Sequence, residues 1–116
     1  MKNFLAIYLG TPAGRDRWMA LSEADRKQRE KEGMAAWHAW MTSHKPVLVD
    51  AGGPLGKTKS ASAKGITDVK NNMSGYCVVR AESHEAAAKM FEKHPHFSNF
   101  PGDSVEIMEC LPIPGQ

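Results

Sequence analysis

Residues 3 to 9, Asn3-Phe4-Leu5-Ala6-Ile7-Tyr8-Leu9, constrain the fold more than any other segment of the chain. Drawn as a strand, they set Phe4, Ala6 and Tyr8 on one face and Leu5, Ile7 and Leu9 on the other, so both faces are apolar. Such a strand must be covered on both sides. A chain of 116 residues is long enough for one modest core, and its own helices can cover one face of a sheet. The other face needs a partner, and a second copy of the chain is the simplest cover.

The remaining segments supply the rest of the layer. Gly10, Pro12 and Gly14 open a connection that runs to about Leu21 and carries Trp18 and Met19, large apolar groups for a loop, which reads as a flap. Ser22-Glu23-Ala24-Asp25 has the form of a capping box and starts a helix. Its first half is charged, with i,i+4 pairs Glu23/Lys27 and Asp25/Arg29. Its second half carries an apolar stripe of Met34, Trp37, His38 and Met41 with Trp40 alongside, until Lys45-Pro46 stops it. Val47-Leu48-Val49 is a short strand signal. Lys57 to Asn72 is a polar excursion with an irregular strand expected near Ile66 to Val69, and Tyr76 to Ala81 alternates as a strand should. Ser83 caps a second helix whose buried stripe is Ala86, Ala87, Met90 and Phe91; His94-Pro95 ends it, and Val105 to Leu111 forms a last strand. The order strand, helix, strand, strand, helix, strand is the split βαβ pattern. It predicts an α+β, ferredoxin-like βαββαβ domain with an antiparallel sheet, occupying residues 1–116 as one unit.

Composition removes several function classes. Fifteen Lys and Arg against thirteen Asp and Glu leave a formal charge of +2, too small for a nucleic-acid or membrane surface. No segment approaches a spanning helix, and no small-residue cleavage site follows the apolar N-terminus, so a cytoplasmic address is expected. Cys77 and Cys110 lie in apolar runs and read as free, buried thiols.

Gly75-Tyr76-Cys77-Val78-Val79, Glu82-Ser83-His84-Glu85-Ala86-Ala87, His94-Pro95-His96-Phe97 and Ser104-Val105-Glu106-Ile107-Met108-Glu109 together resemble the YCII-related family, whose relatives include the DGPF proteins. The resemblance implies a dimeric α+β barrel. Some members carry a first-helix histidine and an Asp-Pro motif after the second helix that have been taken as a catalytic pair. His38 matches that histidine and Pro95 the proline, while His94 stands in place of the aspartate. The Gly-Pro-Phe motif of the DGPF branch is absent, with Asn72-Met73-Ser74-Gly75 where it would fall.

Ala51-Gly52-Gly53-Pro54-Leu55-Gly56-Lys57-Thr58 fits a relaxed phosphate-loop pattern. A phosphate cradle needs a helix starting at its lysine, however, and the segment after Lys57 has no apolar stripe, so a turn at the mouth of a pocket is expected, with Lys57 or Lys59 in contact with an anion. His38 is the expected general acid or base, oriented by a carboxylate, for which Glu109, Asp50 and Glu106 are the candidates and Glu109 the choice. Trp18, Trp37, Tyr8 and Tyr76 are expected to line the pocket, with Asp50, Lys57, His94 and His96 as further binding residues. His94 and His96 form a His-x-His pair, but no third donor stands at diagnostic spacing and no metal or other cofactor is expected. The chain is thus expected to be a homodimer that binds a small organic molecule in a pocket between its sheets, with His38 carrying cofactor-independent isomerase, lyase or hydrolase chemistry. The alternative is a non-catalytic, dimeric interaction or regulatory module.

Overall fold

The computed structural model describes residues 1–115. Strand β1 (Lys2–Gly10) lies inside a four-stranded antiparallel sheet with β2 (Leu48–Pro54), β5 (Met73–Ala81) and β6 (Gly102–Glu109) in the order β2-β5-β1-β6. This is the ferredoxin-like order, and it explains why β1 needs apolar side chains on both faces: it is a central strand. Phe4, Ala6 and Tyr8 point to one face, joined there by Cys77, Val79 and Ala81 of β5, and all six are buried. Ala87 and Phe91 complete this core, with Trp37, Trp40, Val105 and Ile107 packed against it. On the opposite face Leu5, Ile7, Leu9, Tyr76 and Val78 are only partly buried, and Met108 is 43% exposed.

Helix α1 (Pro12–Ala20) replaces the expected flap. Thr11 is its N-cap and accepts from the Gly14 N–H at 3.0 Å, and Pro12 follows at the first helical position, where its fixed φ and missing N–H cost nothing. Helix α2 (Glu23–Ser43) starts as expected, with the Ser22 hydroxyl accepting from the Asp25 N–H at 3.1 Å. Glu23 and Lys27 pair at 3.2 Å, whereas Asp25 and Arg29 form no ion pair among the described residues. The phase of α2 differs from the expected stripe. Gly33 is buried, Trp37, Trp40 and Met41 are partly buried, and Met34 and His38 are exposed. Gly33 is where α2 crosses the segment before β6, because a Cβ there would stand 2.5 Å from the Phe100 ring and 2.9 Å from the Asn99 Cβ.

Two further corrections concern the middle and end of the chain. The polar excursion holds a regular hairpin, β3 (Thr58–Ser62) with β4 (Gly65–Val69), whose strands pair only with each other and whose Ile66 is 72% exposed. A strand following Lys57 is incompatible with a phosphate-binding helix start. Cys77 is a buried free thiol, but Cys110, just past β6, is exposed. The second helical region is split into α3 (His84–Lys89), capped by Ser83, and α4 (Pro95–Ser98), capped by His94.

Gly33→Ala should test the α2 crossing. Better helix propensity contributes roughly 1 kcal/mol, but overpacking against a ring costs about 1–3 kcal/mol. A lower urea midpoint is expected; a raised midpoint would mean that Phe100 moves aside without loss.

Candidate functional site

At the end of the sheet where β1 finishes and β5 begins, α1 and α2 stand off from the strands and leave a cavity of ≈ 630 Å³. It lies on the helix-covered face, within one copy of the chain. Tyr8 supplies part of its floor, Trp37 and Met41 come from α2, and Trp18 and Arg15 come from α1. Gly52, Gly53 and Asn72 to Tyr76 form the rim on the strand side. The aromatic side chains contact one another, with Tyr8 and Trp37 at 4.9 Å between ring centres, Trp37 and Phe100 at 5.8 Å, and Trp18 and Phe100 at 6.1 Å.

His96 is the polar group built into this wall. The ladder between β1 and β6 slips between Leu9 and Gly10, and there the His96 Nε2 lies 2.9 Å from the Leu9 carbonyl and 3.1 Å from the Ser104 carbonyl. Both oxygens can only accept, so Nε2 carries the hydrogen. Gly102 lets the imidazole approach: a Cβ on it would stand 2.5 Å from two ring carbons of His96 and would also strike the His96 carbonyl oxygen. His96 is 4% exposed. Its Nδ1 has no hydrogen-bond partner among the described residues and is not a sealed, unsatisfied atom, and the residue is part of the cavity lining. Burial lowers the His96 pKa, opposed by the two carbonyl contacts and by the Asp103 carboxylate, and the ring is neutral near pH 7.

Behind His96 lies a second imidazole that holds the wall in place. His94 is fully buried among rings, 4.4 Å from Trp37, 4.6 Å from Trp40 and 5.0 Å from Tyr8 between centroids. The His96 N–H donates to His94 Nδ1 at 3.0 Å, which fixes the hydrogen on Nε2. That nitrogen donates to the Tyr8 hydroxyl at 3.3 Å, and the hydroxyl hydrogen is then free for the Cys77 sulfur at 3.5 Å. Burial is the first cause of every shift here: the His94 pKa falls to about 3, helped by His96 and His44, while those of Tyr8 and Cys77 rise. The whole network is therefore uncharged at neutral pH.

The expected site residues separate into two groups. Trp18, Trp37, Tyr8, Tyr76 and His96 line the cavity, and His94 stands behind it. His38 is exposed and outside the cavity, and its carbonyl accepts from the Thr42 hydroxyl. Glu109 lies on β6 opposite Phe4 with its carboxylate 3.7 Å from Lys2. The expected His38–Glu109 pair does not form, because Trp37 and Trp40 take the sheet-facing side of α2 and His38 follows Trp37 by about 100° around the helix. Asp50 is exposed and accepts from the Gly52 N–H at 2.8 Å, outside the cavity lining; Lys57 lies on a separate groove of ≈ 330 Å³ at the hairpin base. Arg15, Met34 and Phe100 line the cavity without having been expected there. Among the described residues no group of three or more His, Cys, Asp or Glu side chains is arranged to hold a metal, and no helix is long and apolar enough to cross a membrane.

No protein-family model matches the chain, and no curated protein matches it. Among solved structures, the chain is similar to 5-chloro-2-hydroxyhydroquinone dehydrochlorinase (TftG) from Burkholderia phenoliruptrix AC1100 in complex with 2,5-dihydroxybenzoquinone. The match has a TM-score of 0.52 and 20% identity over 91% of this chain and 90% of that one. The likeness is one of fold. It agrees with the α+β ferredoxin-like architecture seen here.

Acid should destabilise the protein through His94. Its folded pKa of about 3 lies below the ordinary value of 6.5, so below pH 6.5 the unfolded chain binds a proton that the folded one refuses. Stability is full above pH 6.5 and is lost as pH falls toward 3, by up to about 1.4 kcal/mol per pH unit from this residue. Urea unfolding across that range should show the slope. His94→Asn, which retains a helix-capping side chain, should flatten it; an equally steep slope in the variant would assign the acid lability elsewhere.

Proposed function

We propose that the chain binds a planar organic molecule in the cavity between its helices and sheet, and that His96 exchanges a proton with that ligand. The observation that carries this reading is His96: nine-tenths buried in the wall of an aromatic-lined cavity, with its hydrogen held on Nε2 by two carbonyls and its Nδ1 without a partner among the described residues. A neutral imidazole held in one tautomer is a general base without further preparation. When Nδ1 takes a proton from a ligand hydroxyl or activated C–H, the positive charge faces the Leu9 and Ser104 carbonyls through Nε2–H, which favours the charged ring at that moment. Isomerisation or elimination needs only such a proton carrier, and no resident cofactor enters the scheme. The 2,5-dihydroxybenzoquinone held in the TftG complex is a planar, oxygenated ring, consistent with a ligand of this shape.

The same reading includes a homodimer, in keeping with the resemblance to the YCII-related proteins. Its support is the face of Leu5, Ile7, Leu9 and Val78, apolar side chains that are only partly buried among the described residues. Ile7→Glu should leave a monomer by light scattering at tens of micromolar; a wild-type chain that is already monomeric there would sink the pairing.

For the site itself, thermal shift with 2,5-dihydroxybenzoquinone, hydroquinone and catechol should show stabilisation of the wild type and of His38→Ala, and little of His96→Asn. Because His96 is buried, a wild-type measurement stands beside the variant: ¹⁵N spectra of its ring should show hydrogen on Nε2 and an Nδ1 resonance that moves when ligand is added. An unmoved resonance with a filled cavity would leave a binding module without acid/base chemistry.

A further inference from the structure

Arg15 is the one fully ionised side chain on the cavity lining, and no Asp or Glu lines it. Its guanidinium makes no ion pair among the described residues. It stands one turn into α1, whose Thr11 cap also lines the cavity, so the positive end of the helix adds to the same potential. A cavity with a cation and no counter-charge is complementary to an anion. The size and walls then restrict which anion. At ≈ 630 Å³, with Trp18, Trp37, Tyr8 and Phe100 around it, the space suits a ring, and a bare inorganic ion would leave the aromatic walls unused. One guanidinium also matches one negative group. The lysines that a polyphosphate would need are elsewhere, since Lys57 and Lys59 line the separate groove and Lys59 is taken by Asp68 at 2.7 Å.

Among the uncharged polar groups of the lining, which include Thr11, Asn72 and Ser74, His96 is the one held in a single tautomer, and its partnerless Nδ1 is a neutral acceptor that requires a donor from a ligand. We infer that the ligand is a ring-hydroxylated aromatic monocarboxylate, with its carboxylate on the Arg15 fork and its hydroxyl hydrogen bonded to His96. The inference rests on the functional reading above and adds the charge and the two attachment points of the ligand. A planar guanidinium fits a carboxylate through two parallel hydrogen bonds, which a neutral ester or amide cannot reproduce. Met34 and Met41, unbranched and adaptable, line the same space and tolerate different ring substitution patterns.

The test compares 3- and 4-hydroxybenzoate with their methyl esters and with benzoate, by calorimetry on the wild type, Arg15→Ala and Arg15→Lys. Inorganic phosphate serves as the small-anion control. Arg15 is exposed, so its variants should fold as the wild type does. The wild type should bind an acid about tenfold to a hundredfold more tightly than its ester. Arg15→Ala should lose that preference while ester affinity stays within about threefold, Arg15→Lys should retain part of it, and benzoate should bind more weakly than the hydroxy acids. Acid binding should weaken with added salt and ester binding should not. Equal wild-type affinity for acid and ester, or a preference that survives in Arg15→Ala, overturns the inference while leaving a ring-binding cavity intact. Phosphate binding as tight as the acids would also overturn it. Failure of acids, esters, quinols and catechol alike would remove the cavity reading together with it.

Discussion

The arrangement at His94 fixes the geometry of everything near the cavity. A histidine with no exposed surface is costly to bury unless both ring nitrogens are hydrogen bonded. Here Nδ1 receives the His96 N–H and Nε2 reaches Tyr8, so one side chain caps α4 and ties it to the central strand. Tyr8 and His96, the two groups so tied, both line the cavity. The position of the His96 imidazole is therefore set by a bond to its own backbone, and its tautomer by two carbonyls at a slip in the sheet. Gly102 is the accompanying requirement, since a side chain there would occupy the space of the ring.

The absence of carboxylates from the cavity lining matters as much as the presence of His96. A carboxylate against Nε2, as in a paired His–Glu site, would favour the charged ring and raise its pKa. Carbonyl acceptors orient the ring with a weaker pull toward the charged form, and burial outweighs them and the more distant pull of Asp103, so the imidazole stays neutral and able to accept. The buried Tyr8, Cys77 and His94 behind it are uncharged for the same reason. Arg15 consequently acts across the cavity with no internal anion to neutralise it.

The central strand, the Ser22 cap, the β5 alternation and the ferredoxin-like order are legible in the sequence, because each is written in local period or cap chemistry. Helix α1 escapes such a reading although Thr11-Pro12 is a sound start signal; Gly10, Pro12 and Gly14 together look like a loop, and the helix has almost no apolar face to announce it. The hairpin at 58–69 is only half visible, since its strands are polar and short. The difference over His38 is one of helical phase. A stripe that takes in Met34 and His38 beside Trp37, Met41 and Trp40, and leaves out Gly33, turns His38 toward the sheet, whereas it is exposed. His94-Pro95-His96 reads as a helix terminator, yet it is also a helix start, with His94 at the cap and Pro95 at the first position. That local signal is enough to single out the pair. What no local signal supplies is the β1–β6 slip that frees two carbonyls for His96.

Strand β1 serves the cavity on one side and the uncovered sheet face on the other. Tyr8 points to the helices and the cavity, while Leu5, Ile7 and Leu9 point away, so the cavity needs no residue from whatever covers that second face. The Cα trace measures 53 × 43 × 18 Å, and the short dimension has room for one sheet and one helical layer only. Covering that face would bear on Tyr8 only through the strand that the two surfaces share, and the slip after Leu9 lies on the same strand, with its carbonyl held by His96. The open face and the cavity thus share the backbone segment Tyr8 to Gly10, and Tyr76, which lies on the open face of β5, is also in the cavity lining.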